Sequence, residues 1–487
     1  MSKKEKVPLN KIDAYTWEIP ISYKRGMNVP GRVYADKGLL EKMQVDQTLE
    51  QCANVAHLKG IYKYAITLPD GHQGYGFPIG GVAAIDYDDG VLSPGGVGYD
   101  INCGVRLLTT NLDEKDVEPK LKAIGDILFE NIPSGLGSSR KKFRLSANEL
   151  ENLVTTGVPW LIERNMGWKE DVEHCEEGGS MENANPDKLS ERAKQRGLAQ
   201  VGTLGSGNHF LEIQRVNEIF DERVAKDMGI THLGQVTVMI HTGSRGFGHQ
   251  VCSDYLRVME HAMNKYNITL PDRELACAPG HSKEGQDYYQ AMACAVNYAF
   301  SNRQAITHWT RESFQEVFKK PAETFGLELV YDVAHNIAKI EEHKINGATK
   351  KVWIHRKGAT RALGPEHPKT PSKYKSIGQP VLIPGTMGTS SWLLVGQAKS
   401  LELTFGSTAH GAGRLLSRAA AKKRFWGGDI KEKLEGRGMV VRSASQVVLA
   451  EEASGAYKDV DKVVEVSHQL GIARKVAQMT PLAVVKG

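Results

Sequence analysis

Two spacings of apolar residues recur along the chain. Short runs rich in β-branched and large apolar side chains are bounded by glycine, proline and polar residues. VTVMIH at 236–241, LELVYDVAH at 327–335, KVWIH at 351–355, PVLIP at 380–384 and SWLLV at 391–395 therefore predict strands. Elsewhere the apolar positions follow helical spacing, as in GHQVCSDYLRVMEHAMNKY at 248–266 and SKEGQDYYQAMACAVNYAFSNRQAITHW at 282–309. NPDKLSERAKQRG, 185–197, opens on cap-type residues and stops at glycine. The pattern predicts an α+β protein with a large mixed β-sheet core. A helical insertion falls at approximately 248–320 of one large domain covering 1–487.

Composition narrows the class. The chain has 487 residues and a net charge of +5, too mild a balance to mark a nucleic-acid binder by itself. No apolar run reaches the roughly 20 residues of a membrane span, so no membrane association is expected. The basic start MSKKEKVPLNKIDAY leads into no apolar h-region, which argues against a secretory signal. Six cysteines scattered through the chain suit a reducing compartment, so a cytoplasmic location is expected. Three local basic clusters, 140–144, 355–361 and 418–424, could meet phosphates or be solvated charged faces.

Fifty glycines gather in clusters that sit beside chemistry-bearing residues. Asp100 and Cys103 lie in SPGGVGYDINCG before the apolar GVRLL. His209 follows GTLGSGN, His241 ends VTVMIH, and His335 ends LELVYDVAH. Polar residues at the mouths of buried strands stay reachable while a rigid scaffold positions them. Carboxylate, thiolate and imidazole are competent ligands for a borderline transition metal. A lone buried cysteine is more often an inert apolar filler, and a single histidine more often a core residue. Five such residues at glycine-flanked strand ends favour a site. The run from Gly411 onward predicts a helix, with His410 just before its N-terminus. That setting suits either phosphate contact or an exposed capping histidine. No Walker A pattern occurs.

Taken together, DGHQGYGFPIGG, GGVGYDINCGVR, LGSGNHFLE, HTGSRGFGH, DVAHN, HRKGATR, PGTMGTSS, HGAGR and the terminal VVKG resemble the RtcB-type RNA-splicing ligases, in order from about residue 65 to the last. The resemblance implies a GTP- and manganese-dependent enzyme. Such an enzyme joins an RNA 2′,3′-cyclic phosphate or 3′-phosphate to a 5′-hydroxyl, in tRNA splicing and RNA repair. It implies two Mn²⁺ ions on Asp100, Cys103, His209, His241 and His335, with Cys103 bridging, and His410 as the nucleophile that takes GMP. The implied guanylate pocket is Asn208, His209, Phe210, Leu211, Glu212, His335, Asn336, Pro384, Gly385, Thr386, Met387, Ser391, His410, Gly411, Ala412, Gly413, Tyr457 and Lys486. Glu212 would accept from guanine N1–H and the amino group. Arg196, Arg245, Lys357 and Arg414 are the candidates for RNA phosphates, contacts that position a strand without reading it. The family pattern has an arginine pair before the glycine at 197, whereas here Gln195 precedes Arg196. Implied partners are tRNA exon halves or broken RNA ends and an archease-like activating protein, with the ligase itself a monomer. A dinuclear metal phosphatase or phosphodiesterase would use the same ligands without His410 or Glu212. A non-catalytic RNA-binding protein would need neither Cys103 nor Asp100.

Overall fold

All five apolar runs form strands, because their β-branched and aromatic side chains pack on a pleated, buried surface. The computed structural model describes residues 6–139 and 143–487; Arg140, Lys141 and Lys142 of the first basic cluster lie outside the described residues. The strands divide between two large sheets. One has seven strands, in the spatial order Asn10–Lys11, Thr16–Ile19, Gly31–Tyr34, Ala65–His72, Ile79–Asp86, Ala348–Lys357 and Asn336–Ile345. Only the Gly31–Tyr34 and Ala65–His72 pair is parallel. The other sheet runs Gly326–Ala334, Gly104–Asp113, Gln235–Thr242, Phe210–Ile219, Ala473–Lys486, Ser391–Gly396 and Pro380–Ile383. Val440–Ser443 adds an eighth strand, parallel to Ala473–Lys486.

This second sheet curls into a nearly closed, barrel-like wall. Side chains alternate across a strand, so the register sorts them into two faces. Phe210 lies opposite His241, Glu212 opposite Met239, and Lys486 opposite Phe210. These residues share the inner face with the buried Val105, Leu107, Tyr331, Leu393 and Val484. The outer face meets the 36-residue helix Lys283–Phe318, capped where Ser282 accepts from the Gly285 amide. That helix is buried along most of its length and rich in alanine, which allows close approach to the sheet. A second helix, Arg245–Lys265, packs beside it.

The two sheets meet at the site. The strand Gly326–Ala334 belongs to the curled sheet and Asn336–Ile345 to the other, leaving His335 alone at the joint. Among the described residues no helix is long and apolar enough to cross a membrane. All six cysteines are buried and free.

Candidate functional site

Asp100, Cys103, His209, His241 and His335 converge although they span 235 positions of chain. The ligand atoms of Asp100, Cys103 and His209 lie within 4.8 Å of one another. Cys103 Sγ is 3.3 Å from His241 Nε2 and 3.6 Å from His209 Nε2, and Asp100 Oδ2 is 2.8 Å from His209 Nε2. Beyond them the imidazole rings form a row: the centroids of His241 and His335 are 5.7 Å apart, and those of His335 and His410 5.2 Å.

Local chain geometry makes this convergence possible. Asn102, between the two loop ligands, sits at φ +50°, a left-handed conformation that asparagine tolerates. A Cβ on Gly243 would lie 2.3 Å from Asp100 Oδ1, so glycine lets the chain after His241 close on the carboxylate. From the long helix, Arg303 donates to the carbonyls of Asn102 (2.9 Å) and Thr242 (2.9 Å) and to Asn102 Oδ1 (3.1 Å). The same guanidinium pairs with buried Asp332, which also holds Arg106. One cation thereby ties together the two segments that carry Cys103 and His241.

The donor set fits a transition metal. His335 Nδ1 is fixed by the Thr360 hydroxyl at 2.8 Å, while His335 Nε2 is buried with no hydrogen-bond partner. Burial, joined by the other imidazoles, holds His241 and His335 well below the usual histidine value, and burial lowers His209 against the pull of Asp100. Neutral imidazoles are the ligating form. Burial and the Asp100 charge push the Cys103 thiol well up. A bound cation would reverse that by favouring the thiolate.

His410 follows the short strand Ser407–Ala409, and no helix starts at Gly411. The expected helix begins only at Arg418, where Ser417 caps it. Gly413 accounts for the difference: at φ +76°, its backbone passes so close to Asp70 that a Cβ would lie 2.2 Å from the Asp70 carbonyl oxygen. His410 therefore stands on a strand end, without a helix dipole behind it. Its partner is Asp70, a fully buried carboxylate. Asp70 Oδ2 accepts from His410 Nδ1 at 2.5 Å and from the His410 amide at 2.9 Å. Burial opposes the charge on Asp70, yet the His410 contacts and Lys458 outweigh it and hold the carboxyl below its usual value. Lys458, pushed down to about 8 by burial, donates to the Gly71 carbonyl.

A cavity of about 220 Å³ opens beside these groups. Asn208, Asn336, Pro384, Gly385, Thr386, Met387, Gly411, Ala412, Gly413, Tyr457 and Lys486 line it together with Asp100, Cys103, His241, His335 and His410. His209, Phe210, Leu211, Glu212 and Ser391, also implied for the pocket, are not among its lining residues, and Leu211 faces the opposite side of its strand. Glu212 accepts from Gln214, which also donates to Ser391, whose hydroxyl accepts from the Gly385 amide. Burial raises Glu212 from 4.5 to about 7, against the pull of Gln214 and Lys486, and one of its oxygens has no partner.

The basic residues divide differently from the sequence pattern. Arg196 is exposed beside the helix Arg245–Lys265. Arg245 is packed near His209, its Nη1 3.4 Å from His209 Nδ1. Lys357 is buried and donates to the carbonyls of Tyr75 and Gly95 (3.0 Å to the latter), so a phosphate there would have to displace both. Arg414 pairs with Glu452 at 3.0 Å and donates to the Tyr457 hydroxyl. The cluster 355–361 is no surface patch: His355, Arg356, Lys357 and Arg361 are all buried, with Arg356 paired to Glu341 and Arg361 to Glu177. In the cluster 418–424, Lys422 pairs with Glu451. Asp70, Arg303 and Thr360 were missed from the sequence. The Asp-Gly-His at 70–72, inside a glycine cluster, was the one available signal, and only for Asp70.

The fold and cavity define a class of protein: a curled-sheet scaffold with a largely buried Asp/Cys/His donor set facing a carboxylate-held histidine. The chain belongs to the tRNA-splicing ligase RtcB family, whose model matches residues 51–487. It is 59% identical to the tRNA-splicing ligase RtcB of Thermococcus kodakarensis over 99% of this chain and 100% of that relative. It is 57% identical to the protein of that name from Pyrobaculum aerophilum over 99% of both chains. With the one from Methanococcus maripaludis it shares 56% over 99% of this chain and 100% of the relative.

Proposed function

We propose that this chain joins RNA ends, with tRNA exon halves as the natural substrate class, through a GMP adduct on His410. The observation that carries the reading is the pairing of His410 Nδ1 with Asp70, which leaves Nε2 as the attacking nitrogen next to the donor cluster. Two Mn²⁺ ions on Asp100, Cys103, His209, His241 and His335 would supply charge neutralisation at the phosphoryl oxygens.

The protein's own groups account for the rest. His410 Nε2 attacks the α-phosphorus of GTP and pyrophosphate leaves, while the Nδ1 proton stays on the Asp70 hydrogen bond. The buried Asp70 carboxylate stabilises positive charge developing on the ring. Lys486 lines the cavity and offers a cation to the nucleotide. Glu212, behind the 384–387 loop, supplies an acceptor suited to guanine N1–H and the amino group. The guanylate then passes to an RNA 3′-phosphate, and the 5′-hydroxyl of the second strand displaces GMP. A 2′,3′-cyclic phosphate enters the same sequence after water adds at phosphorus and the P–O2′ bond breaks, leaving a 3′-phosphate and a 2′-hydroxyl.

The test is labelling with α-labelled GTP in Mn²⁺. The expected result is acid-labile, base-stable label on the chain, absent in His410→Ala. Cys103→Ala should keep the parent's melting curve yet form no adduct. No label on the parent, or label surviving in His410→Ala, overturns the mechanism and leaves the phosphodiesterase reading.

A further inference from the structure

Three aromatic side chains from distant segments meet beside the donor loop, outside the cavity that holds His410. Tyr75 belongs to the glycine cluster 70–81, Tyr99 immediately precedes Asp100, and His249 lies in the first turns of the helix Arg245–Lys265. The Tyr99 and His249 rings are stacked, with centroids 4.7 Å apart and planes 28° apart. Tyr75 meets Tyr99 edge-on at 5.5 Å. Both are geometries that aromatic pairs prefer. The cluster is not closed core: the tyrosines are only partly buried and His249 is exposed.

The chain holds this group in place. Lys357 donates to the Tyr75 and Gly95 carbonyls, and the aliphatic stem of the same lysine underlies Gly98, where a Cβ would lie 3.3 Å from Lys357 Cε. The segment carrying Tyr99 is therefore seated on one buried side chain. Arg196 flanks the other side, with Nη1 3.4 Å from the Gly246 carbonyl and 3.2 Å from Gln250 Oε1 on the His249 helix. An exposed cation next to flat rings matches a nucleotide, with phosphate on the guanidinium and base on the ring.

We propose that Tyr75, Tyr99 and His249 form a stacking platform for the terminal base of an RNA strand, presenting that end to the donor loop. The inference rests on the RNA-end-joining reading above. Every base has a π-face, so the platform accepts any base, which suits an enzyme that seals ends of differing sequence.

The experiment measures binding of short oligoribonucleotides to the Mn²⁺-loaded protein. One arm carries a 5′-hydroxyl end and the other a 3′-phosphate end, each with the terminal base as 2-aminopurine or absent. In at least one arm, 2-aminopurine fluorescence should be quenched, and the abasic strand should bind about 10- to 100-fold more weakly. The arm that responds identifies which strand occupies the platform. His249→Ala should lose both effects, and His249→Phe, which keeps a flat ring, should retain them. Equal binding of abasic and complete strands in both arms overturns the proposal, as does His249→Phe behaving like His249→Ala. GTP labelling of the parent protein reads the other proposal separately. Stacking without adduct removes the His410 mechanism and leaves the platform standing; adduct without stacking does the reverse.

Discussion

If His410 is the nucleophile proposed above, removing the Asp70 carboxylate should disable it without altering the lining of the cavity beside it. Asp70 Oδ2 accepts from both the Nδ1 and the amide of His410, and from the Gly411 amide at 3.4 Å. Only the first of these bears on the attacking nitrogen. A hydrogen bond to a charged group contributes about 1.5–3 kcal/mol, which at about 1.36 kcal/mol per decade is roughly a 10- to 150-fold effect on rate. Asp70→Ala also frees the ring to rotate and to carry its proton on Nε2, the wrong nitrogen. Loss of the carboxylate from a hydrolase triad costs about 10⁴-fold, so the expected fall in adduct formation lies at about 10² to 10⁴. Asp70→Asn, whose amide oxygen can still face Nδ1 and the amides, should be intermediate, about 10-fold down from the loss of charge alone. The assay is the single-turnover rate of GMP transfer to the protein in Mn²⁺, with GTP affinity measured in parallel. Affinity should change little, because Asp70 lies behind His410 and does not line the cavity. A folded Asp70→Ala protein labelled within threefold of the parent would refute the argument, as would a loss seen entirely in GTP affinity.

Two other residues give equally direct outcomes. The Glu212 carboxyl is raised by burial from 4.5 to about 7, so the fold favours its protonated form. Its contribution to stability is complete below about 4.5, is lost progressively as pH rises from there to about 7, and is gone above that. Glu212→Gln should therefore gain stability relative to the nucleotide-free parent between pH 4.5 and 8, by about 3 kcal/mol. Urea denaturation at both pH values checks this, and a pH-independent difference would contradict it. GTP binding should weaken below pH 7 in the parent, and the preference for GTP over ATP should shrink in the variant. Arg303→Met leaves Asp332 with Arg106 alone and uncaps the Asn102 and Thr242 carbonyls. Breaking such a buried pair costs about 3–5 kcal/mol. Denaturation should show a loss near the lower end, with weaker Mn²⁺ binding, and a loss under about 1 kcal/mol would count against the tie.

Much of the architecture was legible because local signals agreed with the global fold. The run at 236–241 falls in the strand Gln235–Thr242, the run at 327–335 in Gly326–Ala334 but for His335, and the helical spacing at 282–309 in Lys283–Phe318 with Ser282 as its cap. Period-2 and period-3.6 patterns survive folding because each element must bury one face. The donor residues could be singled out because ligand-type side chains stood at glycine-flanked strand ends. Local pattern failed at Gly411, where a helix was expected: Gly413 is instead held in a left-handed conformation against Asp70, a contact 343 positions away in the chain.

Local pattern carried most of the inventory: the strands and the long helices, the Asp, Cys and His donors with His410, and the family that the ordered motifs identify. Tertiary structure alone decided the partnerships. It placed Asp70 on His410, Thr360 on His335 and Arg303 on the backbone of the donor loop, and it turned the basic run at 355–361 inward against Glu341 and Glu177. Charge along a sequence cannot reveal burial, and hydrogen bonds between residues tens to hundreds of positions apart leave no periodic trace. They exist only once the two sheets meet at His335 and the long helix closes against the curled one.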